Sequence, residues 1–332
     1  MDLRGKSILI TGGAGFIGSH IVDELLKYDV KRVIVYDNFS SGRLENLGGA
    51  LKDPRVKVVR GSILNIKKLM RVVKAADIIS HQAAQLEIIS AIINPDHDLR
   101  INIQGTLNVL KCALRCGVKK VIYASSAAVY GQAQYLPQDE NHPLRPHWPY
   151  GVSKLAGERY CIMYSELYNL NTVSLRYGIV YGPREWYGRV LTIFTKRVLD
   201  GQPPIIFGDG NQTRDFIHVK DVARINVLAI ENDDVSGEVF NVGSGVGIKI
   251  KDLAYKVIKT AGRDDIEPTY ADPKPFEMGR KPGELRHLVL DIKKAQKMLG
   301  FKPSIDFDEG LQEYIEWARK WKDVWWRGEP RV

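Results

Sequence analysis

Residues 7–18 read SILITGGAGFIG, an apolar run followed at once by a glycine-rich loop and the start of an amphipathic segment. A strand that leads through such a loop into a helix is the context of a phosphate-binding loop. Glycine suits the tight turn, the close approach of the backbone to a pyrophosphate and the packing of helix on strand. The free N–H groups at the helix N-terminus then face the anion. Gly12, Gly15 and Gly18 therefore predict a dinucleotide site.

Asp37 closes the second predicted strand, at the distance expected for the acidic residue that accepts hydrogen bonds from the adenosine ribose hydroxyls. A carboxylate there repels a 2′-phosphate, so the sequence favours NAD over NADP. Arg43 and Arg60 lie downstream, and we interpret them as surface charges rather than as partners of a phosphate.

The first half of the chain alternates short apolar runs with longer amphipathic segments, the pattern of repeated βαβ units. We predict an α/β fold, a Rossmann-type doubly wound parallel sheet with a smaller α/β substrate lobe. Residues 1–175 are expected to form the NAD-binding domain, with a return of about 216–243, and residues 176–332 mainly the substrate-binding lobe. The predicted strands are 7–10, 32–36, 56–59, 77–81, 120–124 and 172–176, and the predicted helices include 16–28, 98–116 and 150–168.

Composition excludes several classes of protein. The 332 residues carry 48 Lys and Arg against 39 Asp and Glu, a formal charge of +9. The excess is scattered and forms no block of like charges, so no nucleic-acid partner is expected. No apolar stretch reaches the roughly 18 residues of a membrane span, and the first apolar run is too short for a signal peptide. Three cysteines without zinc-type spacing predict no metal site and a reducing, cytoplasmic location.

Tyr150 and Lys154 are four residues apart at the start of a predicted helix, so their side chains share one face. A phenol with a pKa of about 10 is a weak base near neutrality, and an adjacent ammonium group stabilises its phenolate. Ser125 and Ser126 end the fifth predicted strand, at the carboxyl edge where such sheets bind ligands. A hydroxyl group there can meet the same substrate oxygen. We therefore predict that Ser126, Tyr150 and Lys154 are catalytic.

With these residues in place, the chain resembles an extended short-chain dehydrogenase/reductase of the NAD-dependent nucleotide-sugar epimerase/dehydratase family. The resemblance runs from the glycine loop to about Gly310, with the motifs in order. Besides those already named, the matching motifs are Asn38 and Ser40, His81-Gln82-Ala83-Ala84, Asn102 with Gly105-Thr106, Ser125 to Gly131, Tyr181-Gly182-Pro183, Gly208-Asp209-Gly210, Arg214-Asp215-Phe216 and Asn241-Val242-Gly243.

The resemblance implies a full set of site residues, in which NAD takes a hydride from a sugar carbon while Tyr150 takes the hydroxyl proton. The implied cofactor-binding residues are Gly12, Gly15, Phe16, Ile17, Gly18, Asp37, Asn38, Ser40, Ser62, Ile63, Gln82, Ala83, Ala84, Asn102, Ser125, Tyr150, Lys154 and Tyr177. The implied substrate-binding residues are Gln85, Ser126, Tyr150, Ile179, Arg189, Arg214, Lys281, Glu284 and Arg286. The predicted helices 98–116 and 150–168 correspond to the family's dimer-forming pair, so the resemblance also implies a homodimer.

The segment after Ser126 separates the reactions of this family. Members that dehydrate or decarboxylate carry carboxylates there, whereas this chain has Ala127 and Ala128. Without an acid at these positions, elimination lacks its usual catalyst. The favoured function is therefore inversion of C4 of a UDP-hexose by transient oxidation, rotation of the keto sugar and return of the hydride.

Alternatives stay open at this point. The same fold serves UDP-N-acetylglucosamine and UDP-glucuronate 4-epimerases, 4-reductases and dehydratases, and a non-catalytic NAD-binding protein is the least favoured choice. Ser62, Ile179 and Lys281 depart from the family pattern, which blurs the identity of the sugar. For Arg214, the alternative to diphosphate binding is an ion pair with Asp215.

Two further features have a structural interpretation. His81, at the end of a strand, is expected to be a satisfied core histidine rather than a catalyst. Trp317, Trp321 and Trp325 fall on one face of a C-terminal helix, which we interpret as packing against the body of the protein, with a subunit contact as the alternative.

Overall fold

A computed structural model describes residues 1–186 and 188–325, with only the backbone for Gly279 and Trp325. The strands are β1 (Ser7–Thr11), β2 (Arg32–Asp37), β3 (Val56–Arg60), β4 (Ile78–His81), β5 (Lys120–Ser126), β6 (Asn171–Tyr177), β7 (Ile179–Tyr181), β8 (Ile205–Phe207), β9 (Thr213–His218), β10 (Val239–Val242), β11 (Gly247–Lys249), β12 (Thr269–Ala271) and β13 (His287–Leu288). The helices are α1 (Phe16–Leu25), α2 (Ile66–Val73), α3 (Ile88–Ile93), α4 (Pro95–Asp98), α5 (Gly105–Cys116), α6 (Pro149–Tyr168), α7 (Val190–Leu199), α8 (Val219–Glu231), α9 (Ile250–Thr260), α10 (Lys293–Leu299) and α11 (Phe307–Trp325).

Seven of these strands form one parallel sheet in the order β10-β6-β5-β4-β1-β2-β3. Most are runs of branched apolar residues, as expected for a parallel sheet that helices cover on both faces. The direction of winding reverses at β1, which lies between β2 and β4. Ligands bind beyond the carboxyl ends of the strands at such a reversal, and the glycine loop begins there. The predicted Rossmann-type fold is confirmed.

The smaller lobe is built around β9, which pairs with β11 in the antiparallel sense and with β7 and β13 in the parallel sense. The chain enters this lobe after β6, which extends to Tyr177, two residues beyond the expected boundary. It returns through α8, which lies against α1, and through β10, which pairs with β6. Residues 216–218, at the start of the expected return, are part of β9 and so of the second sheet. The two lobes therefore interleave more finely than the sequence suggested.

Residues 99–104 interrupt the helix predicted over 98–116. Leu99–Gln104 forms a wider, π-helical turn between α4 and α5. Such turns are rare and often lie at functional sites. The Asn102 side chain is buried here and donates to the Gln85 carbonyl oxygen (2.9 Å), to Asp98 (2.8 Å) and to Ser153 (3.0 Å), while its Oδ1 accepts the Gln85 N–H (2.9 Å). The turn thus fastens the segment after β4 to α6.

Of the C-terminal tryptophans, Trp317 packs on the smaller lobe rather than on the main sheet. Trp317 is partly buried against the core of the smaller lobe and stacks on Tyr314, with ring centres 6.0 Å apart; the side chain of Trp325 lies outside the described residues. In the described part of the chain, no helix is long and apolar enough to cross a bilayer. Nor do three His, Cys, Asp or Glu side chains of these residues gather as metal ligands.

A buried ion pair connects α6 to the sheet. Arg176 on β6 donates two hydrogen bonds to the Glu158 carboxylate, from Nε (2.9 Å) and from one terminal nitrogen (2.6 Å). Its other terminal nitrogen donates to the Tyr130 hydroxyl (2.8 Å), which in turn donates to Asn241 on β10 (2.6 Å). Ser125 at the end of β5 completes the set by donating to Glu158 (2.7 Å). Four separate segments therefore meet at one charged pair.

We expect Arg176→Met to lower the free energy of unfolding by about 3–5 kcal/mol, because it leaves the Glu158 charge buried without a partner. Urea denaturation monitored by circular dichroism measures this loss. The matched control is Lys256→Met, which removes the exposed ion pair with Asp308 and should cost less than about 1 kcal/mol. Equal losses for the two variants would contradict the argument.

Candidate active site

The glycine loop after β1 leaves room for an anion at the N-terminus of α1. A Cβ added to Gly12, whose φ is +68°, would lie 2.7 Å from the backbone nitrogen of Ala83, and one added to Gly18 would collide with the Gly12 carbonyl oxygen. Gly15 precedes α1 without a side-chain cap, and the first turn of the helix holds no acidic residue. The free amides of this turn therefore suit a pyrophosphate, and the cradle fits a dinucleotide.

Asp37 is buried at the end of β2, beside this loop. Its carboxylate accepts hydrogen bonds from the backbone N–H groups of Ala14 (3.0 Å) and Phe39 (2.8 Å). Burial raises the pKa of Asp37, and these two N–H groups oppose the rise. The chain crosses closely above it, since a Cβ on Gly42 would lie 2.8 Å from a carboxylate oxygen. The backbone therefore fixes the acid that the sequence assigned to the ribose.

The other residues expected around the adenosine half lie on the loops after β2 and β3. Ser40 donates to Asn38 from both its N–H (3.0 Å) and its hydroxyl group (2.8 Å). The carbonyl oxygen of Ser62 accepts from the Tyr36 hydroxyl (3.0 Å), and that of Ile63 accepts from Asn108 (3.0 Å). Because β2 and β3 are neighbours, these loops lie at the same edge of the sheet as Asp37.

His81 anchors the segment after β4 through a chain of hydrogen bonds. Thr106 donates to the Asn102 carbonyl oxygen (2.6 Å), so its hydroxyl oxygen accepts from Nε2 of His81 (3.0 Å). Nδ1 of His81 then accepts from Thr11 (2.7 Å), whose oxygen accepts the Ala83 N–H (3.3 Å). Burial lowers the pKa of His81 to about 3. It is therefore a neutral core residue, as the sequence suggested.

Gln82 and Tyr177 belong to a second hydrogen-bond network, below the segment that follows β4. Ala84 is part of that segment. Gln82 donates to Ser80 (2.9 Å), and the Tyr177 hydroxyl donates to Gln82 (3.3 Å) while it accepts from Asn226 (2.8 Å). These bonds position the Gln82 and Tyr177 side chains beneath the carboxyl edge and link β4, β6 and α8.

The three predicted catalytic residues come together at the carboxyl end of β5. Ser126 is the last residue of this strand. Its hydroxyl group accepts the Ala128 N–H (3.1 Å) and lies close enough to the Tyr150 phenol to favour its ionised form. Pro149 and Tyr150 open α6, which places Lys154 one turn further on. The Lys154 ammonium group donates to the Ala124 carbonyl oxygen (2.8 Å) and lies 5.9 Å from the centre of the Tyr150 ring.

Burial dominates the electrostatics of this group. It raises the pKa of Tyr150, and the Arg189 charge and the Ser126 hydrogen bond oppose the rise. It lowers the pKa of Lys154 to about 8, against the attraction of Asp98. Lys154, to which the sequence argument assigned stabilisation of the phenolate, donates to a main-chain carbonyl group and lies over the Tyr150 ring. The Arg189 charge also favours the phenolate.

The Ser125 side chain turns away from Ser126 and into the core. Its hydroxyl group is buried and donates to Glu158, below the sheet edge. Because that bond is part of the buried ion-pair network, the side chain is committed to the core, and sequence adjacency to Ser126 could not reveal this.

The residues expected to bind the diphosphate differ in their surroundings: Arg214 is largely buried, whereas Arg286 is exposed. Arg214 lies 3.3 Å from Glu284 rather than beside Asp215, whose carboxylate is buried and accepts the N–H groups of Ser244, Gly245 and Leu290. The ion pair of Arg214 with Asp215, the alternative from the sequence, is therefore wrong. Arg286, by contrast, forms an exposed bidentate pair with Asp209.

Lys281 belongs with Arg214 and Arg189. Burial and the charges of these two arginines lower the pKa of Lys281, while Glu87 and Glu284 oppose the change. We call Arg189, Arg214 and Lys281 the cation cluster. Of the remaining candidates, Ile179 opens β7 and packs against the core of the smaller lobe, while Gln85 is held by Asn102 and donates to the Glu87 carbonyl oxygen (2.9 Å).

Sequence reasoning missed two residues, Trp186 and Glu185, on a loop that borders the site. The Arg43 guanidinium lies 5.0 Å from the centre of the Trp186 ring, so the loop after β2 touches the loop after β7. Glu185 is buried on that second loop and lies 3.6 Å from Arg189. Its spacing of four residues from Arg189 was the one available signal.

We expect Gly12→Ala to lower the affinity for NAD by about tenfold or more, because the new methyl group displaces the backbone at Ala83. Calorimetric titration of the NAD-free protein measures the affinity. Gly49→Ala is the matched control, since a Cβ there meets no atom of the described residues within 4 Å and its φ is negative. Unchanged affinity in Gly12→Ala would contradict the assignment of the loop.

Comparison with known proteins identifies the family. Residues 8–243 match the model of the NAD dependent epimerase/dehydratase family. A protein of Methanocaldococcus jannaschii, provisionally named UDP-glucose 4-epimerase, is 41% identical over 320 residues that cover 94% of this chain and 98% of its own. The UDP-glucose 4-epimerase of Thermotoga maritima, solved with UDP-glucose, has a TM-score of 0.86 and 37% identity over 95% of this chain and 99% of its own. A dTDP-glucose 4,6-dehydratase of Actinoplanes is 32% identical over 96% of this chain and 99% of its own. The chain belongs to the NAD-dependent epimerase/dehydratase family and is an extended short-chain dehydrogenase/reductase, as its sequence suggested.

Proposed function

We propose that the protein is a UDP-hexose 4-epimerase that inverts C4 by transient oxidation of the sugar. The observation that carries the proposal is that Tyr150, at the start of α6, lies beside the carboxyl end of β5 and Ser126, while a short turn of alanines, Ala127 and Ala128, follows the serine. A dehydratase needs an acid beside this point to expel a hydroxyl group, and these two side chains cannot supply it.

In the proposed reaction, Tyr150 is the general base and general acid. It removes the proton from the C4 hydroxyl group and later returns a proton to the same oxygen on the opposite face of the sugar. Ser126 holds that oxygen through a hydrogen bond, and Lys154 holds the nicotinamide ribose. When bound, NAD supplies an acceptor for the hydride of C4 and returns it after the keto sugar has rotated.

The anionic half of the substrate is proposed to bind the cation cluster of Arg189, Arg214 and Lys281. Guanidinium groups match phosphate oxygens in geometry as well as in charge. Glu284, the partner of Arg214, accepts a hydrogen bond from one of its terminal nitrogens (3.3 Å). Among the alternatives, UDP-N-acetylglucosamine and UDP-glucuronate remain candidate sugars, since Ile179 and Lys281 depart from the family pattern.

We expect the purified protein to convert UDP-glucose to UDP-galactose, because the site holds an acid/base for one hydroxyl group and no second proton donor at positions 127 and 128. The protein is incubated with UDP-glucose, UDP-N-acetylglucosamine or UDP-glucuronate in separate samples, with and without added NAD. The anomeric signals in the proton NMR spectrum then identify the product. The absence of a C4 epimer from all three sugars, or a 4-keto-6-deoxy product, would overturn the proposal.

Two variants serve as controls for this assay. Tyr150→Phe removes the proposed acid/base, so turnover should fall roughly a hundredfold to ten-thousandfold while NAD stays bound. Tyr160→Phe removes a hydroxyl group from the same helix away from the site and should leave turnover within about twofold of the parent. Retained activity in Tyr150→Phe would refute the assigned role.

We further propose that the protein is a homodimer formed through α5, α6 and the π-helical turn before α5. On α6, the apolar side chains of Val152 and Leu167 are 51% and 65% exposed. Leu99, on the π-helical turn, is 51% exposed. Apolar side chains gathered in one patch mark an interaction surface.

We expect light scattering to give twice the mass of one chain, and Leu167→Glu to shift the protein to the monomer because it places a charge in the contact. Val246→Glu is the matched control, since Val246 is similarly exposed on the smaller lobe, away from α5 and α6. A monomeric parent protein would rule out this interface.

A further inference from the structure

Glu185 is a buried carboxyl group without hydrogen-bond donors. Its side chain is 1% exposed, and within the described residues neither carboxylate oxygen has a hydrogen-bond partner. The nearest cation is Arg189, one turn away, with 3.6 Å between the guanidinium and the carboxylate. A buried ionised carboxylate without donors is costly. The charged form of Glu185 therefore depends on the attraction of one neighbour.

Arg189 itself faces the site. One of its terminal nitrogens donates to the Val180 carbonyl oxygen (3.2 Å), and its side chain is partly exposed. Its charge acts on the Tyr150 phenol and on Lys281. Arg189 thus lies between the proposed acid/base and the rest of the cation cluster, where it meets an anionic substrate.

The Glu185 carboxylate and the anionic part of the substrate compete for the Arg189 guanidinium group. Burial raises the pKa of Glu185 to about 7, and the Arg189 charge opposes the rise. When a second anion binds to Arg189, the attraction that keeps Glu185 ionised weakens and a repulsion is added. The ionised form becomes less favourable in the complex, so the pKa of Glu185 rises further on binding.

Other titratable and charged groups lie on the elements around Glu185. Tyr314 on α11 is a buried phenol whose pKa is raised, with the Glu185 charge among the causes. On α1, Nε2 of His20 donates to the Pro183 carbonyl oxygen (2.9 Å), and burial lowers the pKa of His20 to about 3. Asp23 on the same helix pairs with Arg184 (2.7 Å). Among these neighbours, Glu185 is the group placed to exchange a proton at pH 7.

We propose that Glu185 takes up a proton from solvent when the anionic part of the substrate binds at Arg189, so that the guanidinium group passes from the carboxylate to the substrate. Glu185 is then a positioning residue, which acts through Arg189. The inference rests on the proposed function, because the anion is the UDP-sugar of that reaction.

The test uses the NAD-bound Tyr150→Phe variant, which cannot turn over, and UDP-glucose, whose phosphates do not titrate in this range. Calorimetric titrations at pH 7.5 in phosphate and in Tris, which differ in ionisation enthalpy, give the number of protons taken up. We expect roughly half a proton per site, and a dissociation constant that rises by up to about tenfold per pH unit above pH 7. In the same background, Glu185→Gln should abolish the part of the proton uptake, and of the pH dependence of the dissociation constant, that comes from Glu185. Glu185→Asp keeps an ionisable group and should retain that part.

Glu309→Gln, which removes an exposed carboxylate on α11, is the matched control and should leave the Glu185-linked uptake in place. If Glu185→Gln does not fold, Arg189→Met tests the same coupling, because an uncompensated Glu185 is already protonated and no uptake follows. Equal proton uptake in Glu185→Gln and its parent overturns this inference alone. Absence of UDP-glucose binding at any pH from 6 to 9 overturns the proposed function and the inference with it.

Discussion

The ion pair between Glu158 and Arg176 is the contact on which the geometry of the candidate site depends. Glu158 lies one helical turn after Lys154 on α6, and Arg176 lies on β6, so the pair fixes the helix that carries Tyr150 and Lys154 against the centre of the sheet. Removing both charges from water is expensive, and only good geometry with further hydrogen bonds offsets it. Here Ser125 and Tyr130 supply those bonds. The pair with its hydrogen bonds therefore fixes α6, β5, β6 and β10 in one relative position.

Exclusion of water explains the electrostatics around this pair. Burial is the largest influence on the pKa values of His81, Tyr150 and Lys154 alike. In such surroundings each nearby charge has a larger effect than it has in water. The Arg189 charge can therefore assist ionisation of Tyr150 although it belongs to a loop of the smaller lobe. The interleaved path of the chain has a chemical consequence, since it brings a cation of one lobe to the acid/base of the other.

Local patterns were enough to predict the features that short stretches of chain determine. The SILITGGAGFIG stretch predicts its strand, loop and helix because tight turns and close packing demand glycine at particular places. The Tyr150 and Lys154 pair is predictable from helical spacing, and the parallel sheet from alternating elements. Other features depend on contacts between distant residues. Ser125 turns to Glu158, 33 positions away, and the π-helical turn at Leu99–Gln104 has no spacing that distinguishes it from a regular helix.

The cation cluster also depends on contacts between distant residues, so the net charge of the sequence does not tell which cations face a ligand. A formal charge of +9 by itself favours an ordinary solvated surface over an anionic ligand. In the fold, Arg214 faces Glu284 and Arg189 faces Glu185, while Glu87 and Glu284 act on Lys281. The site is therefore close to neutral before an anion arrives. In the proposed reaction, a diphosphate replaces carboxylates that already solvate these cations, so binding exchanges one anionic partner for another and buries little new charge. Such an exchange favours ligands that reach several of these cations at once, as a diphosphate does, over single carboxylates that compete with Glu284 or Glu185 one at a time.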